Sequence, residues 1–132
     1  MMPRALEEAG LITALQHLFD NSLNSSKIKY NFEHQNINQR FPKNIEITLY
    51  RITQELLNNI LKHSKATEVN IQLFKTENDI IYMIEDNGTG FSSIKKEGIG
   101  LKNIKSRIDL IKGIVNFSTE NTGTLTSIKI PL

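Results

Sequence analysis

The run TEVNIQLFKTENDIIYMIED, Thr67 to Asp86, alternates apolar and polar residues twice, through Val69, Ile71 and Leu73, then through Ile81, Met83 and Glu85 or the opposite face. Successive side chains of a strand point to opposite sides, so each half specifies a strand with one buried face. The polar hinge from Thr76 to Asp79 makes the pair an antiparallel hairpin. A two-stranded ribbon with one apolar face is not stable alone. The rest of the chain must widen that sheet and cover that face.

The flanking segments supply both. In KIKYNFEH, Ile28, Tyr30 and Phe32 alternate with polar residues, and two last strands, IVNFSTE and TLTSIKI, are joined by Asn121 to Gly123. Three other segments have helical periodicity. Pro3 suits a first helical turn, and Leu6, Ala9, Leu11, Ala14, Leu15, Leu18 and Phe19 recur at helical spacing until NSLNSS, which predicts one leading helix within residues 1–24. From Asn44, a candidate N-cap, Ile45, Leu49, Ile52, Leu56, Ile60 and His63 keep the helical period over about five turns. IGLKNIKSRIDLIKG predicts a further amphipathic helix, closed by Gly113. Helices and strands alternate without regular βαβ repetition. The expected fold class is therefore α/β: a two-layer sandwich whose mixed, mostly antiparallel sheet is covered on one face by helices. A chain of 132 residues with no repeat, low-complexity tract or second linker is expected to form a single domain over 1–132.

Composition narrows the possible partners. The formal net charge is +2, with 16 Lys and Arg against 14 Asp and Glu, and the cations are scattered among acids. That is too weak a field to indicate nucleic acid or an anionic membrane. With no cysteine, a disulfide framework and a thiolate metal site are excluded, which fits a reducing, cytoplasmic setting. No run reaches the roughly 18 apolar residues of a membrane span, and the first residues lack the order of a signal peptide.

Function must then be sought in local constellations. On the long helix, Glu55 and Asn59 lie one turn apart at the edge of the apolar stripe, Lys62 continues that margin, and Asn58 points further toward solvent. An acid and an amide so placed offer two oxygens to Mg²⁺, which keeps waters and substrate phosphates as its other ligands; the same residues also fit a solvated margin with i,i+4 pairing. His63, near the middle of the apolar face, fits a hydrogen-bonded core histidine. In EDNGTGF, a strand ends in Asp86 and passes into Gly88 and Gly90, which bring backbone freedom and no bulk. A carboxylate there can accept from the exocyclic amine of an adenine, or can close an Asx-turn on its own backbone. Gly98 and Gly100 stand before a helix, where free N–H groups and the helix dipole favour an anion, although glycines also precede helices for ordinary reasons. Lys95 and Lys96, between the glycine pairs, fit either a phosphate-facing lid or a solvated loop. Neither a P-loop nor a dinucleotide-binding fingerprint is present.

Taken in order, these segments resemble the ATP-binding catalytic domain of bacterial two-component sensor histidine kinases, in the superfamily that includes gyrase, Hsp90 and MutL. QELLNNILKHS is similar to the N box, EDNGTGF to the first glycine box, GIGLKNIKSR to the second, and NTGTLTSIKIPL to the closing segment. MPRALEEAGLITALQHLF is similar to the stretch that follows the dimerisation helices in the subfamily with a short ATP lid, whose response regulators have helix-turn-helix outputs. The resemblance implies a Bergerat-type sandwich with three helices on one face, and ATP and Mg²⁺ as ligands. It implies that Asn59 coordinates Mg²⁺, with Glu55 as a metal-shell residue or base, and that Asp86 binds the adenine amino group while Gly88 and Gly90 make room for the base. It places Lys62 and His63 near the phosphates, Gly98, Gly100 and Leu101 at the lid and phosphate site, and Thr124 or Thr126 at the base pocket.

The same resemblance requires a phosphoacceptor histidine followed by an acid on a dimerisation helix. His17 precedes Leu18, His34 lies in a strand and His63 belongs to the N box, so the acceptor is expected on an absent upstream helix, and the chain is expected to be a catalytic-domain fragment. The expected partners are that upstream dimerisation and phosphoacceptor domain and a response regulator, with no direct nucleic-acid contact. The parent is expected to be a homodimer, the fragment a monomer that is slow or inactive alone. Two other readings share this fold, a stand-alone anti-sigma-factor serine kinase and a non-catalytic nucleotide-sensing module. The linker-like opening helix has no purpose in the first, and Glu55 together with Asn59 argues against the second.

Overall fold

The computed structural model describes residues 3–37, 39–88, 101–119 and 123–132, apart from the side chains of His63 and Ser64. Its strands are β1 (Lys29–Gln35), β2 (Glu68–Lys75), β3 (Asp79–Asp86), β4 (Ile114–Thr119) and β5 (Thr124–Pro131), forming one five-stranded sheet in the order β1-β2-β3-β5-β4. The β1–β2 pair is parallel and the other three pairings are antiparallel, so the sheet is mixed and mostly antiparallel, as expected. The α-helices among the described residues are α1 (Arg4–Ala9), α2 (Leu11–Phe19), α3 (Lys43–Asn59) and α4 (Leu101–Leu110), and π-helical turns extend α2 over Asp20–Asn24 and α3 over Ile60–Ser64.

The hairpin's pairing register decides which face of the sheet is buried. Directly opposed residues of two strands share a face. Ile71 faces Ile84 and Leu73 faces Tyr82, so once Val69, Ile71 and Leu73 turn inward, β3 must present Ile80, Tyr82 and Ile84 to the core. The inward face of β3 is thus the alternative to Ile81, Met83 and Glu85. The same register places Val69 opposite Asp86, which carries a carboxylate onto the apolar side of the sheet. Against this face pack Leu15 and Phe19 of α2, Leu49, Ile52 and Leu56 of α3, and Ile104 and Ile108 of α4, in one continuous cluster. Burying each such side chain contributes on the order of 2 kcal/mol, which is what holds the helical layer on the sheet.

Three expectations need correction. The leading helix is two helices, because Gly10 takes φ 89 and ψ 175 and ends α1 before α2 begins. The end of α1 is also met from outside: Leu6 O, which accepts from the Gly10 N–H at 3.1 Å, accepts from the Arg40 guanidinium at 3.0 Å as well, and Glu7 O accepts from it at 3.2 Å. The N-cap of α3 is Pro42 rather than Asn44, and its carbonyl accepts from the Ile45 and Glu46 N–H groups. The left-handed residue that closes α4 is Lys112, at φ 61, while Gly113 donates to Ile108 O at 2.9 Å. What requires glycine at 113 is space, since a Cβ there would lie 2.9 Å from both Ile108 Cγ2 and Lys129 O.

The leading segment joins the same core. Phe19 meets Phe32 edge-on at 5.0 Å between ring centres and Tyr30 at 5.8 Å. The Tyr30 hydroxyl donates to Asp20 and accepts from Gln16 Nε2 at 2.6 Å, and burial with the Asp20 contact pushes its pKa up to about 12.

Candidate functional site

Topology gathers five chain ends at one edge of the sandwich. The parallel β1–β2 pair is joined by α3, which must run back antiparallel to both strands. Because β3 is antiparallel to β2, α3 and β3 run the same way, and Asn59 and Asp86 lie at their C-terminal ends. The pairing of Asp86 with Thr124 and of Thr124 with Thr119 brings the start of β5 and the end of β4 to that edge. A short turn reverses the chain between α4 and β4, so the N-terminus of α4, ten residues long, faces the same way.

One buried hydrogen bond fixes α3 over β3. Thr53 Oγ1 lies 2.7 Å from Leu49 O, the carbonyl one turn before it, and 2.7 Å from the Tyr82 hydroxyl. The carbonyl can only accept, so the single Thr53 proton goes to it and Tyr82 must donate to Thr53. Both residues are fully buried, and burial raises the Tyr82 pKa, which keeps that donor neutral. From this bridge Asn59 is six residues on, about 9 Å of helix, and Asp86 is four residues on, about 13 Å of strand. The two ends therefore lie at similar depth beyond the bridge.

At the strand end, Asp86 is 6% exposed, and its Oδ1 accepts from the Gly88 N–H at 2.9 Å. This is the Asx-turn anticipated from the sequence, and it occupies one oxygen only. Oδ2 has no hydrogen-bond partner among the described residues, yet it is not sealed from solvent. Burial raises the Asp86 pKa above the ordinary carboxylate range, the Gly88 N–H opposes that rise, and the Glu85 charge adds to it. Thr124 stands opposite Asp86 and Thr126 opposite Ile84, both buried on the same face. These are an acceptor and two hydroxyls on an otherwise apolar wall.

At the helix end, Asn59 is 9% exposed and Asn58 is exposed, as the helical angle predicts. Glu55 is half-buried one turn earlier. After Asn59 the helix widens into a π-helical turn, Ile60–Ser64, which ends at Lys65 in the left-handed conformation, and Lys62 on that turn is exposed. Single π-turns recur at functional positions because they re-aim the residues that follow. Leu101 opens α4 half-buried against the core. The His63 side chain, Gly90, Lys95, Lys96, Gly98 and Gly100 lie outside the described residues. Among the described residues no group of three or more His, Cys, Asp or Glu could hold a metal alone, and no helix is long and apolar enough to cross a membrane.

Two residues that build this site are not apparent as such from spacing. Asn87 Oδ1 accepts from the Thr67 and Glu68 N–H groups, at 2.9 and 3.0 Å, and its Nδ2 donates to Thr67 Oγ1 at 2.9 Å. Gly123, at φ 99, runs so close to β3 that a Cβ would fall 1.9 Å from Asp86 O. The motif strings DNG and TGT contain both residues, but only the fold shows what each one touches.

Comparison with known proteins bears on the family and the fold. The sequence profile of the histidine kinase-, DNA gyrase B- and HSP90-like ATPases matches residues 44–132. The chain is 37% identical over 131 residues to the signal transduction histidine-protein kinase/phosphatase DegS of Brevibacillus brevis, covering 97% of this chain and 34% of that protein. It is 32% identical over 136 residues to the oxygen sensor histidine kinase NreB of Staphylococcus carnosus, covering 100% of this chain and 39% of the relative. The chain thus spans about a third of the length of the curated relatives it matches. The histidine kinase domain of a blue-light activated histidine kinase from Erythrobacter litoralis superposes with a TM-score of 0.73 at 18% identity, over 92% of this chain and 60% of that one, a likeness of fold. By its profile match over residues 44–132, the chain belongs to the histidine kinase-, DNA gyrase B- and HSP90-like ATPase family.

Proposed function

We propose that this domain binds Mg-ATP at the edge formed by α3, β3, β5 and α4, and presents the γ-phosphoryl to a histidine on an upstream dimerisation helix, for relay to a response regulator. The observation that carries this reading is Asp86, a buried carboxylate with one oxygen held by Gly88 N–H and the other left open on an apolar wall. An exocyclic amine such as that of adenine is the neutral donor such an oxygen can accept from. Thr124 or Thr126 is proposed to close the base pocket, and room for the ring is the role proposed for Gly88 and Gly90.

The triphosphate then extends toward α3 and the N-terminus of α4, whose free N–H groups and dipole favour anions. Phosphate-binding roles are proposed for Lys62 and His63, and lid and phosphate-site roles for Gly98, Gly100 and Leu101. The donor set at the end of α3 suits Mg²⁺: the Asn59 amide oxygen and the Glu55 carboxylate are hard ligands one helical turn apart. They are too few to bind the ion without phosphate, as expected for a metal that arrives with its nucleotide. When bound, Mg²⁺ neutralises phosphate charge during transfer. The residues of this chain position the nucleotide and exclude water. In this subfamily the acid beside the acceptor histidine is the base, so Glu55 supports the metal shell.

The proposed partners are the dimerisation and phosphoacceptor domain of the same protein and its response regulator, the parent being a cytoplasmic-facing homodimer. The whole of 1–132, with its leading segment 1–24, is proposed to act as one ATP-binding unit. Isothermal titration calorimetry with a non-hydrolysable ATP analogue and Mg²⁺ tests the base pocket. Asp86→Asn should weaken binding more than tenfold, a loss above about 1.4 kcal/mol; equal affinity would sink the assignment. In a protein that carries the acceptor helix, unchanged phosphoryl transfer by Asn59→Ala would remove the proposed metal ligand.

A further inference from the structure

We propose that Asn87 is a positioning residue for the nucleotide, stapling the exit of β3 to the entrance of β2 and so holding Asp86 and Gly88 in the arrangement that receives the base. The inference rests on the adenine-binding reading of Asp86 given above.

The β2–β3 ladder ends at the Val69–Asp86 pair, and one further backbone bond, from Asn87 N to Glu68 O at 3.2 Å, follows it. Beyond that rung nothing in the ladder fixes the chain. The Asn87 side chain takes over there, accepting from two successive backbone N–H groups and donating to the Thr67 hydroxyl. A carboxamide satisfies all three contacts because it carries an acceptor and a donor on one planar group. The Asx-turn bond from Gly88 N to Asp86 Oδ1 spans Asn87, so rotation of the backbone at 87 would break it and release Oδ1, the oxygen that holds the carboxylate in place.

The staple also reaches the other half of the site. Thr67 lies two residues after Lys65, the left-handed residue that ends the π-turn carrying Lys62. Asn87 therefore ties the adenine end of the site to the chain leaving the metal-bearing helix. Its side chain is exposed and buries little, so water competes for its hydrogen bonds and its share of global stability is small. The effect of the staple is concentrated on the residues beside it.

The test is calorimetric titration of the 132-residue chain with Mg-ATP and with Mg-GTP, comparing wild type, Asp86→Asn, Asn87→Ala and Asn87→Asp, alongside thermal melts. Asn87→Ala should lose about tenfold in ATP affinity and narrow the preference for ATP over GTP, with a melting temperature close to wild type. Asn87→Asp keeps the oxygen that accepts from Thr67 and Glu68 and takes the Thr67 hydroxyl proton, so it should recover most of the lost affinity. Wild-type affinity in Asn87→Ala, with binding lost in Asp86→Asn, would overturn this inference alone. Parallel losses of affinity and melting temperature in both Asn87 variants would reduce Asn87 to a structural residue. No ATP binding by wild type would remove the adenine reading and this inference with it.

Discussion

Glu46 and Asp86 are both almost fully buried, at 1% and 6% exposure, and their surroundings differ in kind. Glu46 is saturated: Arg40 reaches both its oxygens, with Nη2–Oε1 at 2.8 Å and Nε–Oε2 at 3.0 Å, and the Phe41 N–H donates at 3.2 Å. That contact raises the pKa of Arg40, whose remaining protons cap the carbonyls of α1. Asp86 has a single N–H, and burial pushes its pKa up. A carboxylate that serves the fold is satisfied from within the chain. The proposed ligand carboxylate, Asp86, is held in place and left short of donors among the described residues, which costs the folded state.

Substitutions can break or sharpen this contrast. The largest effect is expected at Gly123, which sets the place of Asp86 from the neighbouring strand. Gly123→Ala combines a left-handed backbone with a Cβ driven into Asp86 O, and should cost roughly 3 kcal/mol or more and abolish nucleotide binding. Wild-type stability in urea would show that β3 and β5 have slack there. Next comes Arg40→Ala, which strands the Glu46 charge and uncaps α1. The urea midpoint should fall clearly, because Glu46 loses its charge partner although the Arg40 head is half exposed, while nucleotide affinity stays within a few-fold of wild type.

The bridge between the two halves of the site should be asymmetric. Thr53→Val strands the buried Tyr82 donor and should cost about 2 kcal/mol, whereas Tyr82→Phe leaves Thr53 still bonded to Leu49 O and should cost about 1 kcal/mol. The reverse order in denaturant titrations would refute the donor assignment.

The smallest change in stability belongs to Asp86→Asn, although this substitution acts directly on the proposed base pocket. Removing an under-satisfied charge should leave the unliganded domain within about 0.5 kcal/mol of wild type at neutral pH, or slightly more stable. The pH dependence carries the sign. Because the folded pKa of Asp86 is raised, the folded state holds its proton to higher pH than the unfolded chain does. Wild type therefore loses stability relative to Asp86→Asn as pH rises through the window between the ordinary carboxylate pKa and the raised one, and regains it as pH falls. Parallel stability curves for the two proteins across the acid range would contradict the raised pKa.

The periodicity of Ile45 to Ile60 and the alternation of the hairpin made the long helix, the strands and the two-layer class legible, because burial of one face repeats every 3.6 or every 2 residues. Helical angle alone separated Asn59 from Asn58. The glycine strings and the terminal Asp of β3 are where the sequence leads one to expect a ligand, and of these Asp86 and Gly88 lie among the described residues. The break at Gly10 was not legible, since the apolar period runs through it and the cap of α1 comes from Arg40, distant in sequence. Nor was the buried face of β3, which hung on pairing with β2, or the burial of Glu46 against Arg40, which no local pattern marks. Asn87, Gly123 and the Thr53–Tyr82 bridge gain their meaning from atoms contributed by other strands and helices. The sequence by itself determined what each segment is, because local periodicity and backbone preference act within a few residues. Only the tertiary structure decided which polar groups are satisfied and which are left open, because hydrogen-bond partners and desolvation are set by chain segments that meet in space.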